Sequence, residues 1–283
     1  MDLPFIDTHV HFWDRTRLNY DWLNELPAIA ATHTPAELRA EAADRQPGKI
    51  VFVQAGGKTS EWLDEVKWVE SLVEIEPRIA AVVAYAPMDL GEVTIAAIAE
   101  LRRHRLVRGV RHLIQGESDP NFCVRPEFLT GVQALGDNDL SFDICCKHHQ
   151  LASVVKLVRR CPHTNFILDH AGKPDLVAQQ PEPWREHISQ LAALPNVVCK
   201  LSGLITEADH AAWKIDDLRP PVAHLLTAFG PTRLMFGSDW PVVKLAGSYR
   251  RWLEVAEELT STLAPFERSA IFRDNAVRVY RLF

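Results

Sequence analysis

Two histidines one residue apart, His9 and His11, close the apolar run of "PFIDTHVHFWD" at residues 4–14. In a β-strand the side chains of residues i and i+2 leave the same face, so a strand here aims both imidazoles at one spot. A third histidine, His170, stands in "LDHAGKP", and a carboxylate, Asp239, stands in "GSDWP"; each follows another short apolar run. Three imidazoles and a carboxylate that meet at one point form a hydrolytic set. The histidines hold one Zn2+ or hydrogen-bond a carbonyl oxygen directly, while the carboxylate takes a proton from water. The bond such a set opens is an ester, an amide or a lactone.

These groups meet only if the chain between them brings several strand ends together. β-Branched or apolar runs read as strands at 4–10, 49–55, 79–85, 107–113, 141–146, 165–171, 196–202 and 233–239. Amphipathic helical patterns separate them. In "THTPAELRAEAADR", Thr34 can cap, Pro35 takes the first helical position and Glu37 completes a capping box. In "TSEWLDEVKWVESLVEI", Trp62, Val66, Val69 and Val73 form one apolar stripe with charges opposite. Further helices fit "EVTIAAIAELRRH", "RPEFLTGVQAL", "QLASVVKLVRR", "PWREHISQLAAL", "PPVAHLLTAFG" and "YRRWLEVAEEL", and a last one fits "PFERSAIFRDNAVRVYRLF". Eight strands alternating with helices predict an α/β protein, a (β/α)8 barrel in one domain over 1–283, in preference to a doubly wound open sheet. No Gly-x-Gly-x-x-Gly and no Walker-type Gly-x4-Gly-Lys-Ser/Thr is present, and "QAGGK" at 54–58 reads as a turn.

A barrel of this kind gathers its site at the C-terminal ends of the strands, and the polar residues there form the candidate set. They are His9 and His11 on the first strand, Gln54 on the second, Tyr85 at the end of the third, Arg111 and His112 on the fourth, and Asp143 on the fifth. Asp169 and His170 end the sixth, Lys200 and Ser202 the seventh, and Asp239 with Trp240 the eighth. Charged groups in apolar strands must be paired, hydrogen-bonded or used. Arg111 and Asp143 are read either as a buried ion pair or as substrate contacts. Asp169, next to His170, is expected to face the helices and make a structural hydrogen bond. Alternation leaves His112 divided between outward packing and substrate contact. Lys200 needs a carboxylate or a ligand, and the adjacent Cys145 and Cys146 read as small apolar fillers.

Composition narrows the field. A net charge of −6 with acidic and basic residues interspersed offers no basic stripe, which argues against nucleic acid and anionic membranes as partners. The start "MDLPFID" lacks the features of a signal peptide and no run nears the ~18 apolar residues of a membrane span, so a cytoplasmic protein is expected. Five cysteines without Cys-x-x-Cys spacing fit reduced thiols. The sequence carries no signal for a particular subunit number.

The stretches "IDTHVHFWD", "VQAG", "GVRHLIQ", "LDHAGKP", "NVVCKLSGLITEAD", "LMFGSDWPV" and "DNAVRVYRL" together resemble the amidohydrolase superfamily, in its branch of sugar-acid lactonases (L-fuconolactonase- and L-rhamnonolactonase-like) related to 2-pyrone-4,6-dicarboxylate lactonase. The resemblance implies a lactone hydrolase acting on a small-molecule substrate. Asp239 would be the general base, and His9, His11 and His170 would polarise the carbonyl. Alternatively those three histidines and Asp239 would ligate a single divalent metal such as zinc. Arg111 matches a substrate-binding position, with Lys200, His112, Gln54, Asp143, Tyr85 and Trp240 as further candidates for the substrate pocket. The bridging lysine of binuclear members has no counterpart in "GVRHLIQ", nor has their extra histidine in "FDICC", so one metal or none is expected. A 2-pyrone-4,6-dicarboxylate-type or muconolactone-type lactone hydrolase, or a metal-dependent decarboxylase, stays open as an alternative.

Overall fold

The computed structural model describes residues 5–282; Pro4, where the first expected strand begins, and Phe283, at the end of the last expected helix, lie outside them. Eight strands, β1 (Ile6–Val10), β2 (Lys49–Val53), β3 (Ile79–Ala84), β4 (Val107–Leu113), β5 (Ser141–Cys145), β6 (Phe166–Leu168), β7 (Val197–Leu201) and β8 (Leu234–Phe236), pair in chain order, each parallel to the next. The ring closes just past β8, where the Asp239 amide donates to the His9 carbonyl (2.9 Å) and the His11 amide to the Trp240 carbonyl (2.8 Å). Helices α1 (Pro35–Ala42), α2 (Trp62–Leu72), α3 (Glu92–Leu101), α4 (Pro126–Asp137), α5 (Leu151–Arg160), α6 (Trp184–Ala192), α7 (Ile215–Phe229) and α8 (Tyr249–Leu259) follow the strands one for one. The expected (β/α)8 barrel is the observed fold.

Local signals explain the helices. The Thr34 amide donates to Glu37 (2.7 Å) and the Ala36 amide to the Thr34 hydroxyl (3.3 Å), which supplies partners for amides that a helix start leaves bare. Along α2, Val66 and Val69 are buried while Trp62 and Val73 pack on the same core. Helix α7 begins well before the expected "PPVAHLLTAFG" and carries Pro220 and Pro221 inside it. The carbonyls these prolines leave without an N–H donor belong to Asp216 and Asp217, both on the exposed first turn and open to solvent. The last expected helix is two, α9 (Pro265–Ser269) and α10 (Asn275–Tyr280), joined by a π-turn at Ala270–Asp274.

Two apolar layers follow from strand alternation. Val51, Val53, Ala81, Val83, Ile167, Val198 and Met235 fill the barrel, while Phe52, Val82, Phe142, Phe166, Leu168 and Phe236 face the helices. Ala276, Tyr280 and Leu282 seal the N-terminal mouth of the barrel from below. Strand β1 does not keep simple alternation. Ile6 belongs to the inner layer, and between Asp7 and Val10 the pairing with β2 slips by one residue, a bulge that lets His9 also turn inward.

One buried carboxyl on α2 carries a stability prediction. Glu65 accepts from the Ala55 amide (3.1 Å) and the Tyr20 hydroxyl (3.3 Å), and burial pushes its pKa up to about 7. A folded pKa above the unfolded one favours the protonated form, so this contribution is complete below the ordinary carboxyl range and is lost as pH rises through about 7. Glu65→Gln keeps the acceptor and removes the charge. It should flatten the urea-denaturation stability profile between pH 5 and 8 and exceed wild type at pH 8 by about 2–3 kcal/mol; a wild type more stable at pH 8 would contradict the assignment.

Candidate active site

The closing seam between β1 and β8 builds half of the site. The buried Asp7 carboxylate accepts from the backbone amides of Ser238 (2.8 Å) and His9 (3.2 Å), so one side chain ties the segment of His9 to that of Asp239. Asp239 lies in the left-handed region at φ 60°, which throws its carboxylate back over the barrel mouth. His11 Nδ1 is 2.7 Å from the Val53 carbonyl, which can only accept, so the proton is on Nδ1 and the Nε2 lone pair faces Asp239 Oδ1 at 3.4 Å.

The other half comes from the end of β6. That strand stops at Leu168, and His170 and Ala171 both take left-handed φ values of 51° and 54°. The turn corrects the expectation for Asp169. On a continued strand Asp169 and His170 would diverge, but here both turn toward the barrel axis. His170 Nδ1 pairs with the Ser202 hydroxyl (2.9 Å), and its Nε2 is 3.8 Å from Asp239 Oδ1. Gly203 makes room for that ring, since a Cβ there would come within 2.5 Å of His170 Nδ1.

Beneath the histidines lies a fully buried charge layer. Lys200 Nζ contacts Asp143 (2.7 Å), Asp169 (2.9 Å) and His9 Nδ1 (3.2 Å), and the Tyr280 hydroxyl donates to Asp143 (2.9 Å). Arg111 pairs with Asp169 (3.3 Å) and donates to the Gln54 carbonyl (2.5 Å) and toward His9 Nε2 (3.2 Å). The expected Arg111–Asp143 pair is therefore replaced by two others. Adjacent strands place Arg111 and Asp143 side by side in register, yet the inner carboxylate within reach of the guanidinium is Asp169. Lys200, expected to touch substrate, is instead enclosed between two carboxylates.

Electrostatics follow from this packing. Burial would raise the Asp239 pKa, but the surrounding positive charge, Lys173 and Arg111 included, outweighs it and holds the carboxyl below its ordinary value. Burial, reinforced by Lys200, His11 and Arg111, drives His9 well below the ordinary histidine range; burial does the same to His170 against the pull of Asp239. The site holds an ionised carboxylate among neutral imidazoles.

Ligand atoms of His9, His170 and Asp239 lie within 4.8 Å of one another, and the bare Nε2 of His11 adds a fourth donor beside Asp239. A lone pair facing a carboxylate is repulsive unless a cation or a proton lies between them, so the donor set fits one divalent ion. A second group, Cys145, Asp169 and His170, is equally close. Its carboxylate is already neutralised by Lys200 and Arg111.

The remaining candidates separate from this centre. Gln54 and Tyr85 line a small cleft with Lys58 and Trp62 at the mouth. His112 stacks between Tyr85 and Phe122 and bonds Glu117 (3.1 Å), away from the histidine cluster. Trp240 corrects the expectation of a pocket wall. Its ring packs on Phe12 and His33 and donates to Glu41 (2.9 Å), since one residue after Asp239 the chain faces the other way. Sequence reasoning missed Tyr280, Lys173 and the site-facing Cys145; Lys173 leaves the β6 turn in a left-handed conformation and pairs with Glu207 (3.0 Å). A cavity of about 600 Å3 lies apart between the segment after β6 and α7, around Trp184, Pro221 and His224. Among the described residues no helix is long and apolar enough to cross a membrane.

Known proteins are similar to this chain in sequence and fold. A family model described as amidohydrolase matches residues 6–282. An L-fucono-1,5-lactonase of Burkholderia multivorans is 38% identical over 98% of this chain and 96% of its own length. An L-rhamnono-gamma-lactonase of Scheffersomyces stipitis is 25% identical over 72% of this chain and 69% of its own. The crystal structure of a Burkholderia multivorans amidohydrolase with bound zinc superposes with a TM-score of 0.89 at 36% identity, covering 99% of this chain and 100% of that one.

Proposed function

This chain belongs to the amidohydrolase family, and from that premise we propose that it hydrolyses the ring ester of a sugar-acid lactone, of the L-fucono-1,5-lactone type, to the open aldonate. The observation that carries the reading is the ionised Asp239 carboxylate facing three imidazoles at the mouth of the barrel. In this reading Asp239 takes a proton from water, and the oxygen attacks the lactone carbonyl carbon. The tetrahedral oxyanion then collapses, the ring C–O bond breaks, and the proton passes from Asp239 to the departing hydroxyl. A divalent ion, when held by His9, His11, His170 and Asp239, supplies Lewis-acid polarisation of the carbonyl. Arg111, anchored by Asp169 and Gln54, presents fixed positive charge where negative charge develops, worth roughly 3–4 kcal/mol per well-placed donor. Gln54 and Tyr85, on the cleft beside the cluster, contact the sugar hydroxyls. Lys200 acts from behind His9.

We assign this chemistry to one catalytic domain working in the cytoplasm on a free small molecule, without nucleic acid or membrane; the acidic net charge of −6 supports that assignment. A pH-indicator screen of aldonolactones, run with and without a chelator, tests the reading. L-Fucono-1,5-lactone should release acid above its spontaneous rate, faster than L-rhamnono-γ-lactone. No acceleration with any aldonolactone, at any zinc concentration, would rule the reading out.

A further inference from the structure

His9 faces more hydrogen-bond donors than it can satisfy. Arg111 Nη1 lies 3.2 Å from Nε2 and Lys200 Nζ lies 3.2 Å from Nδ1. Both are pure donors, whereas a neutral imidazole offers one lone pair. Asp169 Oδ1, an acceptor, lies 3.3 Å from the same Nδ1. With the proton on Nδ1, the ring accepts from Arg111 and sets its N–H beside the Asp169 carboxylate as a close charge contact, and Lys200 keeps both carboxylates. With the proton on Nε2, that N–H points at the guanidinium hydrogens, and the nearest acceptor, Asp239 Oδ1, is 3.7 Å away. The first arrangement sets the ring N–H against a carboxylate; the second sets it against a cation.

The Nε2 lone pair that Arg111 takes in this arrangement is the one a metal would need. We propose that Arg111 is a built-in placeholder for the metal ion: it occupies the ligand lone pair of His9, keeps that ring in the metal-ready tautomer, and must let go of it for an ion to bind. Its other bonds, to the Gln54 carbonyl (2.5 Å) and to Asp169 (3.3 Å), do not involve the lone pair and hold the guanidinium at the site after release. A metal-free protein thus retains a positive charge at the head of His9, and zinc affinity reflects competition with a side chain of the same protein. The proposal rests on the metal position read above and is independent of which lactone is opened.

Zinc binding alone tests it. Calorimetric titration of metal-stripped full chain with Zn2+ should give about tenfold tighter binding in Arg111→Met than in wild type, the worth of one displaced hydrogen bond. Lys173→Met is the control. Lys173 raises the potential at His9, His170 and Asp239 but donates to Glu207, so its loss should change zinc affinity by less than about threefold. Equal tightening in both variants would reduce the effect to through-space charge, and unchanged or weaker binding in Arg111→Met would overturn the proposal outright. The wild type provides a readout free of folding effects. 15N chemical shifts should show His9 protonated on Nδ1 without metal; protonation on Nε2 overturns the proposal. Lactone turnover enters none of these measurements, so they can fail while the hydrolase reading stands.

Discussion

Asp239→Asn should abolish lactone hydrolysis, lowering kcat by about 10^3-fold or more at saturating zinc, while leaving the fold unchanged. The substitution is chosen for its backbone as much as its charge. Position 239 sits at φ 60°, a region asparagine enters more readily than most side chains, so the amide bond to the His9 carbonyl (2.9 Å) that closes the barrel survives. What is lost is the carboxylate that the surrounding positive charge, Lys173 and Arg111 included, keeps ionised despite its burial. A carboxamide cannot accept the water proton. Steady-state kinetics beside near-ultraviolet circular dichroism decide the point: an unchanged spectrum with wild-type turnover would place the base elsewhere.

The second large effect is on stability. Lys200→Met should cost about 3–5 kcal/mol, because it leaves Asp143 and Asp169 facing each other in the barrel interior with their shared cation gone. Arg111 still meets Asp169 and Tyr280 still meets Asp143, so the loss is partial rather than total. Without the lysine the two buried carboxyls gain protons more readily in the folded state than in the unfolded one. The penalty should therefore be smallest at acid pH and grow as pH rises. Adding Asp143→Asn to Lys200→Met should recover part of the loss, which a double-mutant cycle of urea midpoints would measure. An additive double variant would mean that the two residues do not interact.

Much of this was legible in the chain. Alternating strand and helix patterns predict the barrel, and the ends of its strands point to His9, His11, His170 and Asp239 because each carries its ionisable group at the edge of an apolar run. Three features escaped for physical reasons. The left-handed turn at His170 and Ala171 places two non-glycine residues where only tertiary packing holds them, so Asp169 could not be seen to face inward. The bulge in β1 adds a residue without any glycine to announce it. The choice of Lys200 rather than Arg111 as partner of Asp143 depends on how the strands tilt around the barrel, which a linear pattern does not encode. Trp240, by contrast, was readable: the parity that turns Asp239 inward turns its neighbour outward.

The hydroxyl of Tyr280 joins the last helix to Asp143, on the layer beneath the histidines. All four residues of the catalytic cluster therefore precede, along the chain, the group that completes their electrostatic foundation. A chain cut before Tyr280 holds the chemistry without the floor that excludes water from its charges. Truncations that spare all four cluster residues but remove Tyr280 should emerge as inactive polypeptides.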